Sequence, residues 1–241
     1  MIRRILLHPR LNPLLLGIFL MLPTFVAAVI YRLIRSRWVV DPRREYFERV
    51  FATLASSGTE GDYLEFGVYR GGSFIQAFHL AKKYGFSRMR FFAFDSFLGL
   101  PTSEGTTFQE GEYHCSRELF TKAIRKAGVD LDKVRVVEGF YTDSLGNDVK
   151  VNHEIKKAAL IHVDSDLYVS AKQVLHFVQD LLQLGSIIVF DNWHTFEWAG
   201  EEVDLQQFGE RRAFEEWSES TRFEVFYDFF SGKAFIMREE V

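Results

Sequence analysis

The chain has a single cysteine, Cys115, only five prolines, and no internal repeat or low-complexity linker after Arg37. One thiol cannot close an intrachain disulfide, which excludes a secreted disulfide scaffold. A basic surplus is missing too. The formal net charge is -4, so no nucleic-acid partner is expected. Charged residues at 26% and apolar residues at 47% exclude a disordered or polytopic membrane class. Over 241 residues that apolar content fills a sizeable core.

Acidic residues are absent from 1–37, which carry six arginines. The other 204 residues hold 23 basic and 33 acidic side chains. A basic, greasy leader therefore precedes an acidic globular domain, with the division set at 1–37 and 38–241. From Leu14 to Tyr31 the leader reads LLLGIFLMLPTFVAAVIY. As a helix this span reaches ~27 Å, near the hydrocarbon thickness of a bilayer, and Pro23 is tolerated in such a helix. Arg3, Arg4 and Arg10 flank one end, and Arg32, Arg35, Arg37, Arg43 and Arg44 the other. The richer carboxyl flank predicts a single-pass anchor over about 14–34 with the following domain facing the cytoplasm. Three alternatives stay open: a signal peptide cleaved near Val26-Ala27-Ala28, an arginine-rich targeting segment, and a buried core or lid helix.

Beyond the leader, helical spacing of Tyr46, Phe47, Val50, Phe51 and Leu54 predicts a helix from Asp41-Pro42 to about Ser57-Gly58. Apolar runs at 62–68, 90–96, 134–138, 158–164 and 186–192 read as strands. Helices are expected at about 73–84, 116–127, 169–184 and 210–218, with Ser116 as a cap and Gly128 and Gly185 as stops. Strands that alternate with helices and are apolar on both faces predict a covered parallel sheet. Segments 222–230 and 233–238 face each other across Ser231-Gly232 as a hairpin. The expected fold class is α/β: a doubly wound, mostly parallel, Rossmann-like sheet closed by a C-terminal antiparallel hairpin.

The stretch Glu65-Phe66-Gly67-Val68-Tyr69-Arg70-Gly71-Gly72-Ser73 ends a strand and opens a helix. Glycines let that backbone turn sharply and approach a ligand, and the helix start offers unpaired N–H groups. In doubly wound sheets this is where ligands bind. The spacing of Gly67, Gly71 and Gly72 is not the dinucleotide pattern, which weakens a nicotinamide reading. Asp95, ending the second strand, is placed to accept hydrogen bonds from ribose hydroxyls. Two further strands end in Asp164 and in Asp191-Asn192. If those strands are neighbours, two carboxylates and an amide oxygen converge, a set suited to Mg²⁺.

These residues carry a resemblance. Residues 61–100 (GDYLEFGVYRGGSF…FFAFDSFLGLP), with VEGFYTDSL at 137–145, IHVDSDLY at 161–168, SIIVFDNW at 186–193 and GERRAFEEW at 209–217, resemble the macrocin O-methyltransferase family. The likeness spans about 41–240. It implies a class I S-adenosylmethionine-dependent enzyme that methylates sugar or aromatic hydroxyls, usually with Mg²⁺. It also implies that Glu65 and Gly67 shape the methionine side of the cofactor site, with Tyr69, Gly71 and Ser73 in the same loop and helix start. Asp95 and Ser96 would hold the ribose, and Gly139 and Phe140 would lie near the adenine. Asp164 would border the cofactor and, with Asp191 and Asn192, hold the metal. Many family members carry Asp at the position of Asn192, whereas the Asp…Asp-Asn set is similar to catechol O-methyltransferases. Those have a lysine three residues after the first metal aspartate. Here that position is Leu167, so a lysine mechanism does not carry over.

For the acceptor proton the candidates are His194, two residues past the metal pair, and Asp166, two past Asp164; His194 has the better ordinary pKa for a base. His162 reads as a satisfied core or supporting group. The segment 98–115 reads as a lid, with Phe108 and Tyr113 either lining an acceptor pocket or packing the loop. Tyr168 and Trp193 carry the same two readings, and the acidic stretch 197–204 reads as a solvated face. The expected partner is a small hydroxylated acceptor, alongside the membrane. The competing reading is a catalytically silent subunit docked by its helix onto a membrane protein assembly, and self-association is left open.

Overall fold

A computed structural model describes residues 42–102, 109–194, 209–218, 223–229 and 231–238. The expected anchor, Phe108 and the stretch 197–204 lie outside the described residues. Among the described residues, no helix is long and apolar enough to cross a membrane.

The seven strands are β1 (Asp62–Phe66), β2 (Phe91–Asp95), β3 (Val134–Glu138), β4 (Ala158–Val163), β5 (Ile187–Phe190), β6 (Phe223–Asp228) and β7 (Lys233–Met237). They form one sheet in the order β3-β2-β1-β4-β5-β7-β6. Strands β1 to β5 pair in parallel, and β7 pairs antiparallel with both β5 and β6. The chain runs outward from β1 through β2 to β3 and then returns to place β4 on the other side of β1. That reversal opens a crevice at the carboxyl ends of β1 and β4, the place where ligands enter such sheets. The expected parallel sheet and closing hairpin are both present.

Phenylalanine, with 25 copies, does much of the filling. Because strand side chains alternate between faces, Tyr63 of β1 points one way and Leu64 and Phe66 the other. The first face packs under α1 (Pro42–Ser57), α2 (Gly72–Lys83) and α3 (Arg117–Lys126), through Phe47, Phe51, Phe74, Phe78 and Phe120. The second packs under α6 (Tyr168–Val178) and α7 (Gly209–Trp217), through Val174, Phe177 and Phe214. Each such side chain contributes about 1.5–3 kcal/mol on leaving water. Ser116 caps α3 by accepting from the Leu119 N–H, as its position before the helix predicts.

Two helices, α4 (Tyr141–Ser144) and α5 (Asn147–Asn152), lie in a stretch for which the sequence predicts no element. Four and six residues are too few to show a helical period. The helix expected at 169–184 stops at Val178 and tightens into a 3₁₀ turn over Gln179–Leu181. A turn follows in which the Gln183 N–H donates to Ser186 Oγ and Gly185 takes a left-handed φ of 83°.

Candidate active site

The loop after β1 is pressed against the loop after β4. Gly67 has φ 89°, and a Cβ placed there would lie 2.0 Å from the backbone oxygen of Asp164. No side chain fits in that space, so the glycine is required by contact as well as by conformation. Gly71, with φ 78°, is the N-cap of α2; a Cβ there would press on Phe120 and Ile124 at 3.1 Å. Tyr69, between them, adopts φ 44° and meets Tyr113 edge to face at 6.2 Å.

Asp95 holds this loop from β2. Its Oδ2 accepts from the Val68 N–H at 2.9 Å and the Tyr69 N–H at 3.1 Å, and its Oδ1 accepts from the Phe97 N–H at 2.7 Å. A carboxylate has about four acceptor positions, so three backbone bonds leave capacity for a hydroxyl. Ser96 is used locally: its hydroxyl donates to the Gly99 carbonyl and accepts from the Leu98 N–H. Gly139 reaches the same rim by donating its N–H to the Asp95 carbonyl, and Phe140 is the N-cap of α4.

Glu65 and Ser73 sit behind the loop rather than on its surface. Glu65 is fully buried and accepts from the hydroxyls of Tyr63 and Ser73. Behind it lies His162 of β4, also fully buried, with Nδ1 3.7 Å from Glu65 Oε1 and Nε2 3.8 Å from Asp191 Oδ1. The Tyr46 hydroxyl lies 3.3 Å from Nε2 and donates to Asp191 Oδ1 at 3.4 Å. Burial opposes a charge on His162, but the attraction of Asp191 and Glu65 outweighs it and raises the imidazole pKa to about 10. His162 thus lies between two buried carboxylates and links β1, β4 and β5 under the crevice. The sequence suggested a supporting role for His162; Tyr46 and Tyr63 read only as core aromatics.

Strands β4 and β5 are adjacent, as the convergence of their ends requires. Asn192 Nδ2 donates to Asp164 Oδ1 at 2.8 Å. Asp191 precedes Asn192 in the chain but is 3% exposed, and its Oδ1 faces Tyr46 and His162. Among the described residues, no group of three or more His, Cys, Asp or Glu side chains is gathered as a metal site. The donor types nonetheless fit: two carboxylates and an amide suit a hard divalent cation that keeps its remaining positions for water.

Asp166 takes a left-handed φ of 59° just past Asp164. His194 Nε2 lies 2.8 Å from Asp228 Oδ1, and the His194 N–H donates to the Ser231 carbonyl at 3.0 Å, which ties the β5 end to the β6–β7 hairpin. Burial raises the Asp228 pKa, but hydrogen bonds from His194 and Lys233 outweigh it and hold the carboxyl below its ordinary value. Trp193 is core, packed on Phe190, Phe214 and Phe235. Tyr168 bonds Glu216 of α7 and lies under Arg212, so it joins α6 to α7.

Glu210 is the residue that sequence reasoning passed over. It is fully buried on the first turn of α7, and its Oε1 accepts from the Ser165 N–H at 2.8 Å and the Asp166 N–H at 3.2 Å. Its Oε2 accepts from the Asn192 N–H at 3.1 Å. Burial and the nearby charge of Asp164 push its carboxyl well up, against the pull of those N–H bonds. An acid in a helix's first turn reads as a dipole partner, so the sequence signal was present but ordinary.

Residues 37–217 match the family described as macrocin-O-methyltransferase (TylF). Over 151 residues the chain is 26% identical to a Streptomyces olivaceus protein named 8-demethyl-8-(2,3-dimethoxy-alpha-L-rhamnosyl)-tetracenomycin-C 4'-O-methyltransferase. That match covers 58% of this chain and 56% of the relative, so the chain spans about half the length of the curated protein it resembles. The crystal structure of the calicheamicin methyltransferase CalS11 is similar with a TM-score of 0.68 and 19% identity, over 90% of this chain and 86% of that one. The O-methyltransferase TomG from Streptomyces achromogenes, solved in complex with SAM, is similar at 0.53 and 12%, over 88% and 96%. At such identities the two structures show a common fold. The family match is broader, covers most of the sequence, and takes in every loop of the crevice except the hairpin turn. The chain belongs to the macrocin O-methyltransferase family.

Proposed function

We propose that the protein transfers a methyl group from S-adenosylmethionine to a hydroxyl of a small acceptor, a sugar, aromatic or lipid-like molecule, with Mg²⁺ assisting. The observation that carries this reading is the crevice between β1 and β4, where the Gly67 loop, Asp95 and Asp164 meet with no room for a side chain at Gly67. Family membership and the sugar hydroxyl in the name of the Streptomyces relative support a glycosidic acceptor first. The leader at 14–34 supports attachment to a membrane, with the domain on the cytoplasmic side.

When bound, S-adenosylmethionine supplies an electrophilic methyl group, and Mg²⁺ supplies charge that makes the acceptor hydroxyl more acidic. The residues have the work of placement, since an in-line displacement is governed largely by alignment. Asp95 orients the ribose with its remaining acceptor capacity, while Gly67 admits the methionine end and Gly139 and Phe140 border the base. Asp164, Asp191 and Asn192 would hold the metal. Asp166 or His194 takes the acceptor proton; His194 is oriented by Asp228, and each lies two residues past a member of the metal set.

The test is transfer of labelled methyl from S-adenosylmethionine by the full-length protein in detergent. The panel comprises a rhamnosylated aromatic, a free deoxysugar and a quinol, each with Mg²⁺ and with chelator. Label on one class, lost with chelator, is the expected result. Cofactor binding without transfer to any of the three, with Mg²⁺ present, would favour the silent membrane-docked subunit.

A further inference from the structure

Glu210 is costly to place where it is. A carboxylate removed from water loses several kcal/mol unless its hydrogen bonds are replaced, and the neighbouring α7 residues Ala213 and Phe214 show that the same helix face otherwise packs with apolar groups. What the acid does there is specific. One oxygen serves the loop after β4 and the other serves the loop after β5. The last backbone bond between those strands runs from the Asp191 N–H to the Val163 carbonyl at 2.9 Å. Beyond it the loops are joined by the Asn192 amide on Asp164 and by Glu210. The Asp166 backbone, one of the groups Glu210 holds, has a φ of 59°. A non-glycine residue is strained in such a conformation and persists there only when its surroundings hold it.

We infer that Glu210 is a positioning residue of the acceptor side: it fixes the spacing between Asp164–Asp166 and Asp191–Asn192 and keeps Asp166 in its left-handed conformation, its hydrogen bonds going to the loops after β4 and β5. The consequence for metal and acceptor rests on the methyl-transfer reading; the clamp itself does not.

Glu210→Gln tests it at constant volume. A glutamine has one acceptor oxygen, and its NH₂ cannot accept a backbone N–H, so one of the two loops must be left without its partner. The full-length variant and wild type are compared by titration of S-adenosylmethionine, by titration of Mg²⁺ into the S-adenosylmethionine-loaded protein, and by amide hydrogen exchange. Cofactor affinity should stay within about twofold, while Mg²⁺ affinity falls about 10–100-fold, as for other supports of metal ligands. Exchange should quicken at Asn192, or at Ser165 and Asp166, by about tenfold, the loss of one hydrogen bond, with Val68 and Tyr69 unchanged. Glu216→Gln, on the exposed side of the same helix, should match wild type throughout.

Unchanged exchange at all three amides overturns the inference. So does a parallel fall in cofactor affinity with faster exchange along the whole of α7, which would mark Glu210 as a general stabiliser. If wild type takes up no Mg²⁺, the metal assignment fails separately, and if it binds no S-adenosylmethionine the methyl-transfer reading fails. In both cases exchange at Ser165, Asp166 and Asn192 still decides the clamp.

Discussion

The two halves of the crevice rim are built differently. On the side expected to take the cofactor, the loop after β1 is held through its own backbone: a glycine with no room for a Cβ, a second glycine capping α2, and one aspartate of the neighbouring strand binding the Val68 and Tyr69 N–H groups. On the side expected to take the acceptor, the loops after β4 and β5 are held by side chains of docked elements, Tyr46 of α1, Glu210 of α7 and Asp228 of β6. The first half is constrained by close backbone contact, and the second depends on the helices and hairpin docked onto it; the two meet where Gly67 abuts Asp164 and where His162 lies between Glu65 and Asp191.

The largest break should come from Gly67→Ala. Its Cβ would meet a backbone oxygen at 2.0 Å in a left-handed conformation. More than about 4 kcal/mol of stability should be lost, together with S-adenosylmethionine binding, as read by chemical denaturation and calorimetry. A variant that folds and binds normally would show that the two loops are not in contact. His162→Phe comes next, because it removes the imidazole that lies between the buried carboxylates of the two halves. Glu65 and Asp191 would stay buried without it, at a cost of about 3–5 kcal/mol in denaturant unfolding near neutral pH. A loss below about 1 kcal/mol, in the range of exposed pairs, would mean that the three groups do not act as an ionic unit.

The smallest effect concerns the hairpin. The Asp228 carboxyl is held below its ordinary value of 3.8, so its contribution is present above that value and is lost as pH falls through the depressed one. Amide exchange at His194, whose N–H bonds the hairpin carbonyl of Ser231, should therefore quicken in acid below about pH 4, an effect absent in Asp228→Asn. Equal acid sensitivity in the two proteins would detach the hairpin from this ion pair.

Much of this was legible in the sequence, for reasons that follow the same division. Strand and helix positions showed because apolar runs and helical spacing are local, and Gly67, Gly71 and Asp95 showed because a turn and a strand end are local too. Asp164, Asp191 and Asn192 could be grouped only by supposing that β4 and β5 are neighbours, which the sheet bears out. Glu210 could not be found this way. It lies 44 positions from Asp166 and 18 from Asn192, and only the docking of α7 brings it to them. Glu65 and Ser73 were expected to help shape the methionine side of the cofactor site; both are buried, and the Ser73 hydroxyl donates to Glu65, a contact that the sequence does not show. Trp193, next to Asp191-Asn192, carried two readings, acceptor lining and packing, and it packs in the aromatic cluster of Phe190, Phe214 and Phe235.

The account stands on the cofactor half of the rim, and calorimetric titration of S-adenosylmethionine into wild type and Asp95→Ala tests that half directly. One saturable site in wild type, with no binding heat from an Asp95→Ala protein of wild-type circular dichroism, is the predicted result. No binding to folded wild type, or equal binding by both proteins, would contradict it.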